Sequence, residues 1–228
     1  MAEIVVEGLS GYLAQAEQPG RGGVLLLPSH FGMNDLARDH AHELAQAGLT
    51  TVIWNQYTGR PSIVPTHEEA VQWGAELKDD VMQSQTSAWL AWMADELKVE
   101  SLGVIGFCQG GRFALLVPAH DRRVAASVSF YPTITSPMKP NQDLDVVAQA
   151  GEVRCPVLLI HAGHDHVTTH ETFTALRANL EARREATVVH LYPEADHGFF
   201  TRAAEPHNHS AVRLSWPQAV AFLKAALD

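Results

Sequence analysis

Nowhere in this chain do lysine and arginine run together long enough to make a basic stripe. Sixteen of them are set against 26 aspartates and glutamates in 228 residues, a formal net charge of -10. Nucleic acid is therefore not an expected partner. Cysteine is scarce too, and two are too few for a disulfide framework. No apolar run approaches the ~20 residues that a membrane span needs. The N-terminal stretch MAEIVVEGLSGYLAQAEQPGRGG also lacks the basic start and long apolar core of a secretory signal. These absences lead us to expect a soluble, cytoplasmic monomer or small homo-oligomer that binds neither nucleic acid nor membrane. What the chain does have is apolar material: 46% of it is hydrophobic, enough for one larger domain over residues 1–228.

Short apolar runs rich in β-branched residues recur along it: VLLLP from Val24, TVIW from Thr51, GVIGF from Gly103, ASVSFY from Ala126, VLLIH from Val157 and TVVHL from Thr187. Each reads as a strand buried on both faces. Amphipathic stretches with helical spacing lie between them. Asn34 caps a helix carrying Leu36, Ala37, Ala41, Leu44 and Ala45, with Gly48 as its terminator. Thr66 and Glu69 form a capping box before a long segment ending in WLAWMADEL, with an interruption expected at Gly74. Thr168 and Glu171 repeat the device ahead of Phe173, Leu176 and Leu180, and Trp216, Val220, Leu223 and Leu227 make the last helix amphipathic. Strand and helix alternate throughout. That pattern predicts an α/β fold, a mainly parallel sheet with helices on both faces. The loosest segment is PTITSPMKPNQDLD, from Pro132.

Ligands of such sheets bind beyond the carboxyl ends of the strands, so the residues just after each apolar run matter most. VLLLP is followed by Ser29, His30, Phe31 and Gly32, and TVIW by Asn55, Gln56, Tyr57 and then Arg60. GVIGF delivers Cys108, VLLIH delivers Asp165, and TVVHL leads to His197. A lone cysteine is ordinarily a small buried hydrophobe. GFCQGG, however, has the form G-x-C-x-G, the strand-to-helix elbow of the α/β-hydrolase fold with cysteine in place of serine. The order Cys108, Asp165, His197 is also the order of nucleophile, acid and histidine in that fold. The backbone N–H of Gln109 opens the helix behind the thiol, where it can stabilise a thiolate or an oxyanion.

The segments GFCQGGR, HAGHDHVT and ADHGFF together resemble the dienelactone hydrolase family, the cysteine branch of that fold. The resemblance runs from about Val24 to the last helix. It implies cofactor-independent hydrolysis of ester or lactone bonds in small molecules, with Cys108 as nucleophile, His197 as base and Asp165 orienting the imidazole. A thioester forms and water releases the acid. The resemblance of FGMN to a family segment makes the backbone N–H of His30 the second oxyanion donor.

The chain also departs from the family. Ser29 stands where the family carries an acid, and Asn55 replaces another acid, while Tyr57 is kept. With no carboxylate at Ser29, only His197 remains to accept the thiol proton, which predicts a resting Cys108 thiolate paired with protonated His197. Ser29, Tyr57, Arg60 and Arg202 are substrate-binding candidates by placement. His161, His164, His166 and His170 surround Asp165 and suggest an alternative, a metal-dependent hydrolase, although their spacing matches no zinc pattern. No metal is expected. A non-catalytic binding protein on the same fold is the remaining alternative. His40, on the apolar side of the first helix, and Cys155 read as structural.

Overall fold

The computed structural model describes residues 2–60 and 64–228. Eight strands form one sheet: β1 (Ala2–Val6), β2 (Leu9–Ala14), β3 (Gly22–Leu27), β4 (Thr50–Trp54), β5 (Ser101–Phe107), β6 (Val124–Phe130), β7 (Val157–His164) and β8 (Thr187–Asp196). Their spatial order is β1-β2-β4-β3-β5-β6-β7-β8. From β4 to β8 every neighbouring pair is parallel, and β1 and β2 add an antiparallel hairpin at one edge. The six apolar runs fall on β3 to β8, as the sequence predicts.

Among the described residues seven α-helices connect and cover the strands: α1 (Asp35–Gln46), α2 (His67–Glu76), α3 (Asp79–Asp95), α4 (Gln109–His120), the short α5 (Val146–Gln149), α6 (His170–Glu181) and α7 (His209–Leu227). Alternate residues of a strand serve opposite faces. Val24 and Leu26 join a core with Leu44, Trp216 and Leu223, while Leu25 and Leu27 join another with Leu90, Phe113 and Leu176. Helices α1 and α7 thus cover one face, and α3, α4 and α6 the other.

Asn34 caps α1 through its side chain, and the Thr66–Glu69 capping box is complete. Two helix boundaries differ from expectation. Gly74 lies inside α2, and the break comes at Leu77 and Lys78, both extended. There the Asn141 amide donates to the carbonyls of Gly74 and Leu77, and Gln109 Nε2 also donates to that of Gly74, so side chains satisfy the helix end. The turn sends Asp79 inward, where its carboxylate accepts two bonds from Arg112 (2.6 and 2.8 Å) and the N–H groups of Asp143 and Leu144. At the second boundary, α6 is capped by Thr169, not Thr168. The hydroxyl of Thr168 instead donates to Pro132 O and accepts from Ile134 N. Both departures involve the irregular segment 131–145: its Asn141 holds the end of α2, and Arg112–Asp79 and Thr168 fasten it after β6.

Candidate active site

β5 ends at Phe107, α4 begins at Gln109, and Cys108 between them has φ 56° and ψ -114°. A positive φ is strained for a residue with a Cβ, and such conformations persist only where the surroundings enforce them. Here Cys108 N donates to Phe130 O (3.1 Å), while Cys108 O accepts from Arg112 N and Thr133 N (3.2 and 2.9 Å). The turn is also tight enough to require glycine. A Cβ on Gly106 would collide with the Gly110 carbonyl, and one on Gly110 with that of Leu27. The thiol therefore stands at the amino end of α4, where backbone N–H groups lack intrahelical acceptors.

β7 and β8 deliver the other two groups. Asp165 Oδ1 accepts from the N–H groups of Val167 and Thr168 (2.8 and 2.9 Å), and Oδ2 lies 2.8 Å from His197 Nδ1. The opposite nitrogen, His197 Nε2, lies 3.2 Å from Cys108 Sγ. Carboxylate, imidazole and thiol thus form one continuous line. Burial alone would push the Cys108 thiol up, but hydrogen bonds from His197 and His30 outweigh it and hold the thiol at about 5. Burial likewise works against charge on His197, yet its bonds to Asp165 and Cys108 raise it to about 9. Asp165 is held below the usual carboxylate range: burial opposes this, and the His197 bond and the two N–H donors prevail.

Three neighbours of this line were not read from the sequence. The Thr133 hydroxyl lies 3.1 Å from Cys108 Sγ and 3.5 Å from His197 Nε2. The ring of Tyr131, itself at φ 34°, packs edge-on against His197 at 5.4 Å. His30, foreseen only for its backbone, brings Nδ1 to 3.6 Å from the sulfur. The post-strand rule, applied to β6, points at Tyr131 and Thr133. The same rule marks His30 after β3, but it says nothing of where the imidazole turns.

The loop after β3 is held from below. Gln56 Nε2 donates to Ser29 O (3.0 Å), and the Tyr57 hydroxyl donates to His30 O (2.8 Å). Ser29 O belongs to the same peptide as the N–H of His30, so in a trans peptide Gln56 fixes the direction of that N–H. Tyr57 is buried beneath the loop, outside the cavity lining, and burial pushes its phenol up to about 12. Ser29 lines the cavity, its Oγ accepting from Phe31 N. Arg60 is paired with Glu76 on the surface, outside the lining, whereas Arg202 stands at the rim, 3.5 Å from Asp196.

The cavity above the thiol has a volume of about 410 Å³, within the range of small-molecule sites. Lys139 and Arg202 contribute to its wall, and among the described residues no aspartate or glutamate does. In a chain of net charge -10, that segregation favours an anionic ligand. The histidines around Asp165 are dispersed. His161 lies flat against Phe173 (3.8 Å, 5°), burial lowers it to about 4, and both Asp165 oxygens are already engaged. Among the described residues no three His, Cys, Asp or Glu side chains are grouped to hold a metal ion.

The model of the dienelactone hydrolase family matches residues 9–227 of this chain. A carboxymethylenebutenolidase of Rhodococcus opacus is 29% identical over 226 residues, covering 95% of this chain and 86% of its own. The dienelactone hydrolase of Anabaena variabilis superposes with a TM-score of 0.72 at 23% identity, covering 100% of this chain and 97% of its own. A dienelactone hydrolase-like promiscuous phosphotriesterase from metagenomic libraries gives 0.79 at 21%, covering 96% and 93%. At these identities the two structures show a shared fold, the α/β-hydrolase fold anticipated from the elbow.

Proposed function

Since the chain belongs to the dienelactone hydrolase family and is a hydrolase of ester or lactone bonds, we propose that Cys108 is its nucleophile, His197 its general base and acid, and Asp165 the group that orients His197. The observation that carries this reading is the unbroken line from Asp165 Oδ2 through His197 to Cys108 Sγ, at 2.8 and 3.2 Å.

The resting site holds a thiolate facing an imidazolium. His197 Nε2–H, the Thr133 hydroxyl and His30 Nδ1–H donate to the sulfur, which shares its charge among three partners. The thiolate attacks the acyl carbon, and the carbonyl oxygen becomes an oxyanion between the N–H groups of Gln109 and His30. The carbon–oxygen bond then breaks, and the leaving oxygen takes the proton of His197. In an ester the alcohol departs; in a lactone the new hydroxyl stays tethered to the thioester. Neutral His197 next removes a proton from water, the hydroxide adds to the thioester carbon, and the thiolate leaves with the acid formed. The cation-bearing wall selects an ester or lactone that carries a carboxylate.

The test is to trap the thioester. His197→Gln should slow its hydrolysis, so that mass spectrometry after brief exposure to an activated ester finds the acyl mass on the peptide bearing Cys108. Label on another residue, or none while hydrolysis continues, would overturn the assignment. Asp165→Asn leaves the ring free to adopt the wrong tautomer and should lower kcat by about 10⁴ with little change in substrate binding.

A further inference from the structure

His40 occupies the inward side of α1, where the sequence suggests plain packing. It is buried, 6% exposed, and is part of the cavity wall. Three aromatic rings surround it: Phe107 at 4.9 Å and nearly parallel (10°), Trp216 at 4.2 Å and 29°, and Phe200 edge-on at 4.9 Å. Phe107 is also the residue that precedes Cys108, so this aromatic group borders the nucleophile.

A phenylalanine at this position would make the same ring contacts without burying polar atoms. The imidazole brings two, and among the described residues neither nitrogen has a hydrogen-bond partner. The ring forms part of the cavity wall, which leaves the cavity as the place where they can be satisfied. Burial lowers His40 to about 3, so the ring is a neutral dipole at working pH and differs in kind from the cations of the wall. A neutral imidazole has one donor and one acceptor nitrogen. A hydroxyl can pair with either, whichever tautomer is present; a carbonyl can pair with only one.

We propose that His40 is a specificity residue, whose imidazole edge hydrogen-bonds a hydroxyl on the part of the ester or lactone that enters the aromatic side of the cavity. The proposal rests on the hydrolase site centred on Cys108. It gives that site two polar contacts of different kind, a cationic one for a carboxylate and a neutral one for a hydroxyl.

The experiment compares matched esters with and without a hydroxyl, moved along the acyl chain, in wild type, His40→Phe and His40→Gln. Wild type should prefer the hydroxylated member by about tenfold in kcat/KM at one position, the effect of one neutral hydrogen bond. His40→Phe should bring that ratio near one, chiefly through KM, while His40→Gln, which keeps a donor and an acceptor, should retain part of it. Alkylation of Cys108 by iodoacetamide and the thermal melt report whether each variant still assembles the site. The same preference in wild type and His40→Phe, or none in wild type at any position, would overturn the proposal; the latter is the outcome if the ring binds water only. Hydrolysis that persists in Cys108→Ala would refute the nucleophile instead, leaving the His40 comparison readable.

Discussion

Cys108 and Cys155 are both buried, and they occupy opposite ends of the same sheet. Cys108 follows the carboxyl end of β5; Cys155 precedes the amino end of β7. Burial pushes Cys155 up to about 12 against the pull of Arg183, whereas Cys108 is held at about 5. Burial acts in the same sense on both, so the difference comes from the company each keeps. At the carboxyl ends a helix N-terminus and the loops after β3, β6, β7 and β8 converge, bringing two imidazoles and a hydroxyl to one sulfur. At the amino end of β7, Arg183 donates to the carbonyls of Val153, Cys155 and Leu180 and to the Thr187 hydroxyl rather than to the sulfur.

The largest break of this comparison is substitution. Cys108→Ala should lower turnover of p-nitrophenyl acetate by about 10⁴ or more while the circular dichroism spectrum is kept. Cys155→Ala should retain turnover, because its thiol touches no group of the site. Equal losses in the two variants would make the effect one of folding, and near-normal activity in a folded Cys108→Ala would remove the thiol from the mechanism.

The second test uses pH. The Cys108 thiolate is present above about 5, and the His197 imidazolium below about 9. Raising pH through 5 therefore creates the thiolate, the nucleophile of the proposed mechanism, and raising it through 9 removes the imidazolium proton that in this mechanism the leaving oxygen takes. In Cys155→Ala, iodoacetamide alkylation of Cys108 should rise through pH 5 and be nearly level at neutral pH, while kcat/KM falls on both sides of that window. In Cys108→Ala, Cys155 should react only after denaturation. A Cys108 rate that rises only near ~8.5, the range of an ordinary thiol, would exclude the ion pair.

The line of three was legible because each member follows an apolar run in a parallel sheet, and because glycines announce the elbow. The edge hairpin was not. β1 and β2 are half-exposed, with Val5 at 72%, and their connection through Glu7 and Gly8 at positive φ leaves no long apolar run to notice. Thr168 and Thr169 are chemically the same cap in sequence; only the contact of Thr168 with the 131–145 segment separates them. The supports of the loop after β3 were illegible for a related reason. Gln56 and Tyr57 sit where ligand contacts are expected, and the fold uses them to hold backbone.

Gln56 sharpens the comparison from the side of the loop. Gln56→Leu keeps roughly the same size but frees the 29–30 peptide, so the N–H of His30 loses its fixed direction. Because an oxyanion donor acts chiefly in the transition state, kcat should fall about 10- to 100-fold with KM little changed. The Cys108 alkylation profile should stay as it was, since Gln56 does not touch the sulfur. A change confined to KM would make Gln56 a substrate contact rather than a support.

The smallest expected effect isolates one of the partners that distinguish the two cysteines. Thr133→Val preserves the branched shape, and the backbone N–H of residue 133 still bonds Cys108 O, so the elbow should stay in place. What disappears is the hydroxyl at 3.1 Å from Sγ. A hydrogen bond to a charged group contributes about 1.5 kcal/mol, close to tenfold in rate or one pKa unit. The titratable groups that remain around the sulfur are His197, His30, Tyr131 and Tyr57. His197 still supplies the opposite charge, so the ion pair should persist with its acid limb displaced upward by about one unit and its alkaline limb little moved. Thr133→Ser restores the hydroxyl and should restore the limb. An acid limb that stays fixed in Thr133→Val would mean that the two imidazoles alone set the thiolate, and that the hydroxyl only fills space between Cys108 and His197.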